Sequence, residues 1–127
     1  MKILGIGVDV IQNKRIKNLV NNKKFIKRTF GNNEVKFSKK IIDKTNYYAK
    51  RFAAKEAFAK SLGTGISKGL NFTEIEVKKN NLGLPYFKIR GNSLKTVCKI
   101  IKKKKFKAYL SLSDDEPFVI ATVILCI

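Results

Sequence analysis

A chain of 127 residues is long enough for one domain with a single core, and such a chain buries about two-thirds of its unfolded surface without disulfide or metal staples. Two cysteines without C-x-x-C spacing and no histidine exclude the usual Cys/His zinc sites, so acid/base chemistry falls to carboxylates, lysines, tyrosines, cysteines or metal-bound water. A formal charge of +19 points to an anionic partner, although with only Arg15, Arg28, Arg51 and Arg90 as arginines much of it reads as lysine-rich solvated background.

Residues 3–11, Ile-Leu-Gly-Ile-Gly-Val-Asp-Val-Ile, read as a buried strand with close backbone approach at Gly5 and Gly7. Val10 stands where a dinucleotide fingerprint needs its third glycine, so that motif is discarded. Asn13 is the expected cap of a short helix carrying Ile16, Leu19 and Val20. A second basic helix carries Phe25, Ile26 and Phe30, and a third piece runs from about Glu34 to Lys40. Between Gln12 and Lys50 twelve Lys and Arg face only Glu34 and Asp43, the densest basic and apolar stretch in the chain.

A long helix is expected from Asp43 or Thr45, either of which could cap it, to a stop at Gly63-Thr64-Gly65. Small residues at 53, 54, 57 and 59 permit close packing of this helix on a neighbour. Beyond it the period changes to two. Phe72–Lys79 and Tyr86–Arg90 read as a hairpin around a turn containing Gly83 and Pro85. Gly91-Asn92-Ser93 opens a helix with Leu94, Val97, Cys98 and Ile101 on one face, ending in the run Lys102–Lys105. Ala108–Ser113 and Phe118–Ile127 form a closing antiparallel pair around Asp114-Asp115-Glu116-Pro117. No apolar run reaches the ~20 residues that span a bilayer, and no secretory signal is visible, so a soluble cytoplasmic protein with no membrane partner is expected.

Two carboxylates carry the chemical signal. Asp9 lies between Val8 and Val10, and a buried carboxylate needs a counter-charge, which Arg15 or a metal ion could supply. Glu56 and Lys60 are one helical turn apart, the spacing of an ordinary surface pair. If strand and helix pack together, Asp9 and Glu56 could instead hold a hard cation such as Mg²⁺, with Lys60 one turn away from a phosphate.

Gly5-Ile-Gly-Val-Asp9 with Arg15, and residues 51–60, Arg-Phe-Ala-Ala-Lys-Glu-Ala-Phe-Ala-Lys, followed by Gly63-Thr64-Gly65, resemble holo-[acyl-carrier-protein] synthases, the small bacterial 4′-phosphopantetheinyl transferases. The resemblance covers nearly the whole chain. It implies an α+β fold, a long helix packed on an antiparallel sheet, forming one domain over residues 1–127. It also implies Mg²⁺-dependent transfer of the phosphopantetheine arm from coenzyme A to a serine of acyl carrier protein, in support of fatty acid biosynthesis. By resemblance Asp9 and Glu56 match the metal ligands, and Glu56, directly or through a metal-bound water, takes the serine proton. Lys60 matches a lysine that stabilises the pyrophosphate, and Gly63, Thr64 and Gly65 lie where the family approaches the nucleotide.

Arg15, Lys24, Arg28 and Lys44 are docking candidates for the acidic carrier, with Phe25 or Ile26 as apolar contact. Family members form a trimer with sites between subunits, so Pro85 and the strand end at Ser111–Asp114 are expected to complete a neighbour's coenzyme pocket. Asp114 stands where many members have histidine, and it receives no site role. The rival reading, a basic nucleic-acid-binding protein, rests on charge and on Lys102–Lys105, but it leaves Asp9 in an apolar strand unexplained and lacks a pattern of stacking aromatics. No nucleic-acid partner is therefore expected.

Overall fold

The structure, a computed structural model, describes residues 1–63 and 69–127; the expectations for Thr64 and Gly65 fall outside the described residues. Strand β1 (Ile3–Gln12) opens the chain and leads directly into α1 (Asn13–Lys17). Two further short helices, α2 (Lys23–Thr29) and α3 (Asn32–Ser38), precede the long α4 (Lys44–Ser61). A single 3₁₀ turn, Phe72–Glu74, introduces the hairpin β2 (Ile75–Lys79) and β3 (Pro85–Ile89). Helix α5 (Gly91–Ile101) then leads to β4 (Lys107–Asp115) and β5 (Phe118–Cys126).

The sheet order is β1-β5-β4, antiparallel throughout, with Asp9 opposite Ala121 and Leu112 on the far side of the same β5 residue. β2 and β3 form a separate two-stranded sheet. The expected α+β architecture is therefore the one observed, α4 lying across β1 and β5.

Asp43 caps α4 by accepting from the Asn46 amide, as one of the two expected caps. Alanines 49, 53, 54 and 57, all buried, let the helix sink into the molecule on nearly every side. On β1 the side facing α4 consists of Gly5, Gly7, Asp9 and Ile11. A Cβ on Gly5 would run into the carbonyl oxygen of Ser61, and one on Gly7 into that of Ala57, so only glycine admits this helix-to-strand spacing.

Three expectations need correction. β1 is not buried on both faces: Ile6, Val8 and Val10 point away from α4 and are 64, 51 and 57% exposed, because only the glycine side is covered by the helix. Asn13 does not cap α1; Gln12 holds that position and the Asn13 amide donates instead to Glu116 on the β4–β5 turn. The first three residues of the expected Phe72–Lys79 strand form the 3₁₀ turn, held by the Asn71 side chain accepting from Thr73. No helix among the described residues is long and apolar enough to cross a membrane.

Away from the sheet, the small helices and the β2–β3 hairpin are joined by a buried charge pair. The Lys55 ammonium, fully buried, donates to the Glu34 carboxylate, to the Thr29 carbonyl at 2.8 Å and to the Phe72 carbonyl at 2.7 Å. Glu34 also accepts from the Gly31 and Val77 amides. Burial pulls the Lys55 pKa down and the Glu34 charge opposes that pull. Removing one member of such a pair strands the other charge in the interior, typically at a cost of ~3–5 kcal/mol. Lys55→Met is accordingly expected to lower the denaturant midpoint far more than a surface Lys→Met control, with Glu34→Gln/Lys55→Met less destabilised than the sum of the single changes.

Candidate active site

Two elements converge at the C-terminal end of α4. Strand alternation puts Asp9 on the helix-facing side of β1, two residues beyond Gly7, and the close approach at Gly7 brings it level with the last two turns of α4. Glu56 and Lys60 project from those turns. The Lys60 ammonium donates to Asp9 Oδ1 and to the Val8 carbonyl, both at 3.0 Å. Its cationic head sits at the negative end of the helix, where the macrodipole favours it.

The Glu56–Lys60 pair that the spacing suggested is not among the ion pairs of the described residues; Lys60 reaches across to β1 instead. Nor does Arg15 bridge to Asp9. Its guanidinium lies over the Phe52 ring, 5.7 Å from the centroid, and acts on Glu56 only through space. Asp9 keeps a second oxygen, Oδ2, that is buried and without a hydrogen-bond partner among the described residues. Glu56 is half-buried, and burial first and the neighbouring Asp9 second push its carboxyl above the usual carboxylate range, while Arg15 and Lys60 draw it back.

An orphaned carboxylate oxygen beside a second carboxylate whose charge is already disfavoured is a setting that a small divalent cation relieves. Hard oxygen donors suit Mg²⁺, which typically takes one or two carboxylates from protein and completes its shell with water and phosphate. Asp9 and Glu56 fit that ion. Among the described residues no group of three or more His, Cys, Asp or Glu side chains comes together to ligate a metal unaided.

The remaining expected site residues lie elsewhere. Gly63 is exposed beyond the end of α4, with φ of 73°. Pro85 lines a trough of 1190 Å³ together with Leu84, Tyr86, Phe106 and Tyr109, a lining that includes none of Asp9, Glu56 and Lys60. Arg15, Lys24, Arg28 and Lys44 are all exposed on α1, α2 and the start of α4. Phe25 is not available as an apolar contact: it is buried against Phe30 and Phe52, leaving half-buried Ile26. Asp114 accepts from Asn46 at 2.9 Å and pairs with Lys50 at 3.5 Å, tying β4 to the first turns of α4.

Sequence reasoning gave no role to Lys55, Glu34 or Arg51, whose side chains are buried; Arg51 stacks 3.7 Å from the Tyr47 ring centroid. The available signal was the alanine content of α4 on all sides, which means a helix enclosed on all sides, so that a lysine inside it must find buried partners.

Residues 5–123 match the model of the 4′-phosphopantetheinyl transferase superfamily. The holo-[acyl-carrier-protein] synthase of Pelagibacter ubique is 47% identical over 125 residues, 98% of either chain. The crystal structure of the Neisseria meningitidis holo-[acyl-carrier-protein] synthase superposes with a TM-score of 0.84 at 36% identity, covering 98% of both chains. That of the Bacillus anthracis enzyme in complex with CoA (3′,5′-ADP) gives 0.80 at 33% identity, over 98% of this chain and 96% of that one. With a family model covering most of its length and relatives matched end to end, the chain belongs to the 4′-phosphopantetheinyl transferase superfamily.

Proposed function

We propose that the chain, acting as one domain over residues 1–127, is a holo-[acyl-carrier-protein] synthase that moves the 4′-phosphopantetheine arm of coenzyme A onto a serine hydroxyl of an apo acyl carrier protein. The observation that carries this reading is the meeting of Asp9, Glu56 and Lys60 where β1 crosses α4, in a chain whose full-length relatives bear that name. The serine oxygen forms a bond to the β-phosphorus, the bond from that phosphorus to the bridging oxygen breaks, and adenosine 3′,5′-bisphosphate leaves.

Asp9 and Glu56 would hold Mg²⁺, which when bound supplies charge neutralisation at the diphosphate. Lys60, on a half-exposed flexible stem, supplies a positive charge to the same phosphates. Glu56 would accept the serine proton, directly or through a metal-bound water. The exposed cations Arg15, Lys24, Arg28 and Lys44 suit an acidic carrier, and charge of this kind speeds encounter more than it tightens binding. Free thiols at Cys98 and Cys126 agree with a reducing cytoplasmic setting.

The outer face of the β1-β5-β4 sheet supports a homotrimer. Ile6, Val8 and Val10 on β1, Ile120 and Ile124 on β5 and Tyr109 on β4 form a bare apolar surface of a kind that marks a protein contact. In such an assembly the Pro85 trough of one subunit would be the part that completes a neighbour's coenzyme pocket, as the family resemblance implies.

Incubation with coenzyme A, Mg²⁺ and apo acyl carrier protein should add the mass of one phosphopantetheine arm to the carrier; no gain with folded enzyme and cognate carrier removes the reading. Glu56→Gln should abolish that gain without lowering the melting temperature in metal-free buffer, because it removes one of two adjacent negative charges. Changing Arg15, Lys24 and Arg28 together to Gln should raise the KM for the carrier several-fold and flatten its salt dependence, with kcat nearly unchanged. Val8→Lys should convert the trimer to monomer in sedimentation velocity and depress transfer; a wild-type chain that sediments as a monomer argues against the assembly.

A further inference from the structure

Lys60 occupies a position that a metal ion would also seek. Its ammonium sits against two oxygens, Asp9 Oδ1 and the Val8 carbonyl, at 3.0 Å each. The remaining oxygen of Asp9 is buried without a hydrogen-bond partner among the described residues, and the Asp9 charge acts on Glu56 through space. One carboxylate therefore serves as partner for a resident cation and as a ligand for an incoming one. The Lys60 side chain is 52% exposed and that of Asp9 14%, so the lysine is held at its tip while its stem remains free to swing. The other cation acting on this pair, Arg15, is spread over Phe52 and touches neither carboxylate among the described contacts.

Resting on the transferase reading above, we propose that Lys60 is the resident counter-cation of Asp9, and that its transfer from Asp9 to the diphosphate of the coenzyme makes divalent-cation binding and coenzyme binding mutually dependent. Without coenzyme, a divalent ion at Asp9 must settle beside an ammonium sharing the same carboxylate, and like charges at that separation oppose one another. With coenzyme present, the diphosphate offers Lys60 new anionic partners and offers the ion further oxygens. Both ligands favour the arrangement in which Lys60 has left Asp9, so each raises the affinity for the other by the same factor. Lys60 is in this sense a positioning residue for the metal as well as a contact for the phosphates.

The test uses Mn²⁺ as the ion, read by electron paramagnetic resonance, on the full chain with and without coenzyme A and with no carrier protein, so that nothing turns over. Lys60→Met keeps the linear stem and removes the charge at a half-exposed position that the fold does not require. Expected in the absence of coenzyme is Mn²⁺ binding on the order of 5- to 10-fold tighter in Lys60→Met than in wild type. Expected in its presence is a strong tightening in wild type and a much smaller one in Lys60→Met. Unchanged or weaker Mn²⁺ binding by Lys60→Met without coenzyme overturns the proposal. So does an equal gain with and without coenzyme, which is the signature of a general loss of positive field, or an equal effect from Arg15→Gln. Phosphopantetheine transfer by the same wild-type preparation is scored separately: transfer with unaltered coupling sinks the Lys60 role alone, whereas no transfer sinks the functional reading.

Discussion

The contact on which the site depends is the one between backbone and backbone where β1 crosses α4. At Gly5 and Gly7 the strand lies so close to the carbonyls of Ser61 and Ala57 that no side chain fits. Replacing either glycine by any residue with a Cβ forces the helix and strand apart or tilts one against the other. Two residues further along the same face, Asp9 meets Lys60 only because that spacing is short. The alanines of α4 serve the same constraint from the helix side, since Ala57 and its neighbours are the residues that the strand must clear. The Asp9–Lys60 contact and the packing at Gly7 thus depend on one spacing.

A second, independent fastening holds the rest of the molecule to α4. Lys55 lies one residue before Glu56 and so points to another side of the helix, into the Glu34 carboxylate and the ends of α2 and the 3₁₀ turn. Adjacent residues on a helix diverge by ~100°, and here that divergence separates the buried Lys55 charge from the half-buried Glu56 carboxylate. Lys55 is fully buried and all its protons are assigned to oxygens; Glu56 is half-buried and joins none of the ion pairs among the described residues. Fully satisfied buried charges rigidify, whereas a carboxylate left wanting a cation is reactive. The helix thereby presents a fully satisfied buried charge and a half-buried carboxylate on consecutive residues.

The sheet, the long helix and the two hairpins were legible in the sequence because their periods are long and their turns carry Gly, Pro and Asp. The Asp9-Glu56 neighbourhood was legible for a different reason, namely that an acidic residue in an apolar strand has few stable explanations. What could not be read was direction. Alternation on β1 says that Gly5, Gly7 and Asp9 share a face and that Ile6, Val8 and Val10 share the other, but hydrophobicity alone assigns the isoleucine and valine face to the interior. The structure does the reverse, and the reason is steric, since the helix can approach only the face without side chains. Lys60 failed in the same way: its i,i+4 partner Glu56 was visible, while its true partner Asp9 lies 51 residues away and depends on tertiary packing.

That inversion of β1 links the site to assembly. Because the glycine face is spent on α4, the β-branched face is left exposed among the described residues, and it remains apolar where a monomer would be expected to carry polar residues. Asp9 and Val8 are consecutive, one turned toward the helix and the other toward open surface. Any copy that covers Val8 and Val10 consequently presses on the strand that holds Asp9 and whose Val8 carbonyl accepts from Lys60. Were copies to meet through that face, the contact and the Asp9 carboxylate would share one strand two faces thick, so a change in how firmly they meet would shift Asp9 against Lys60 without any intervening relay.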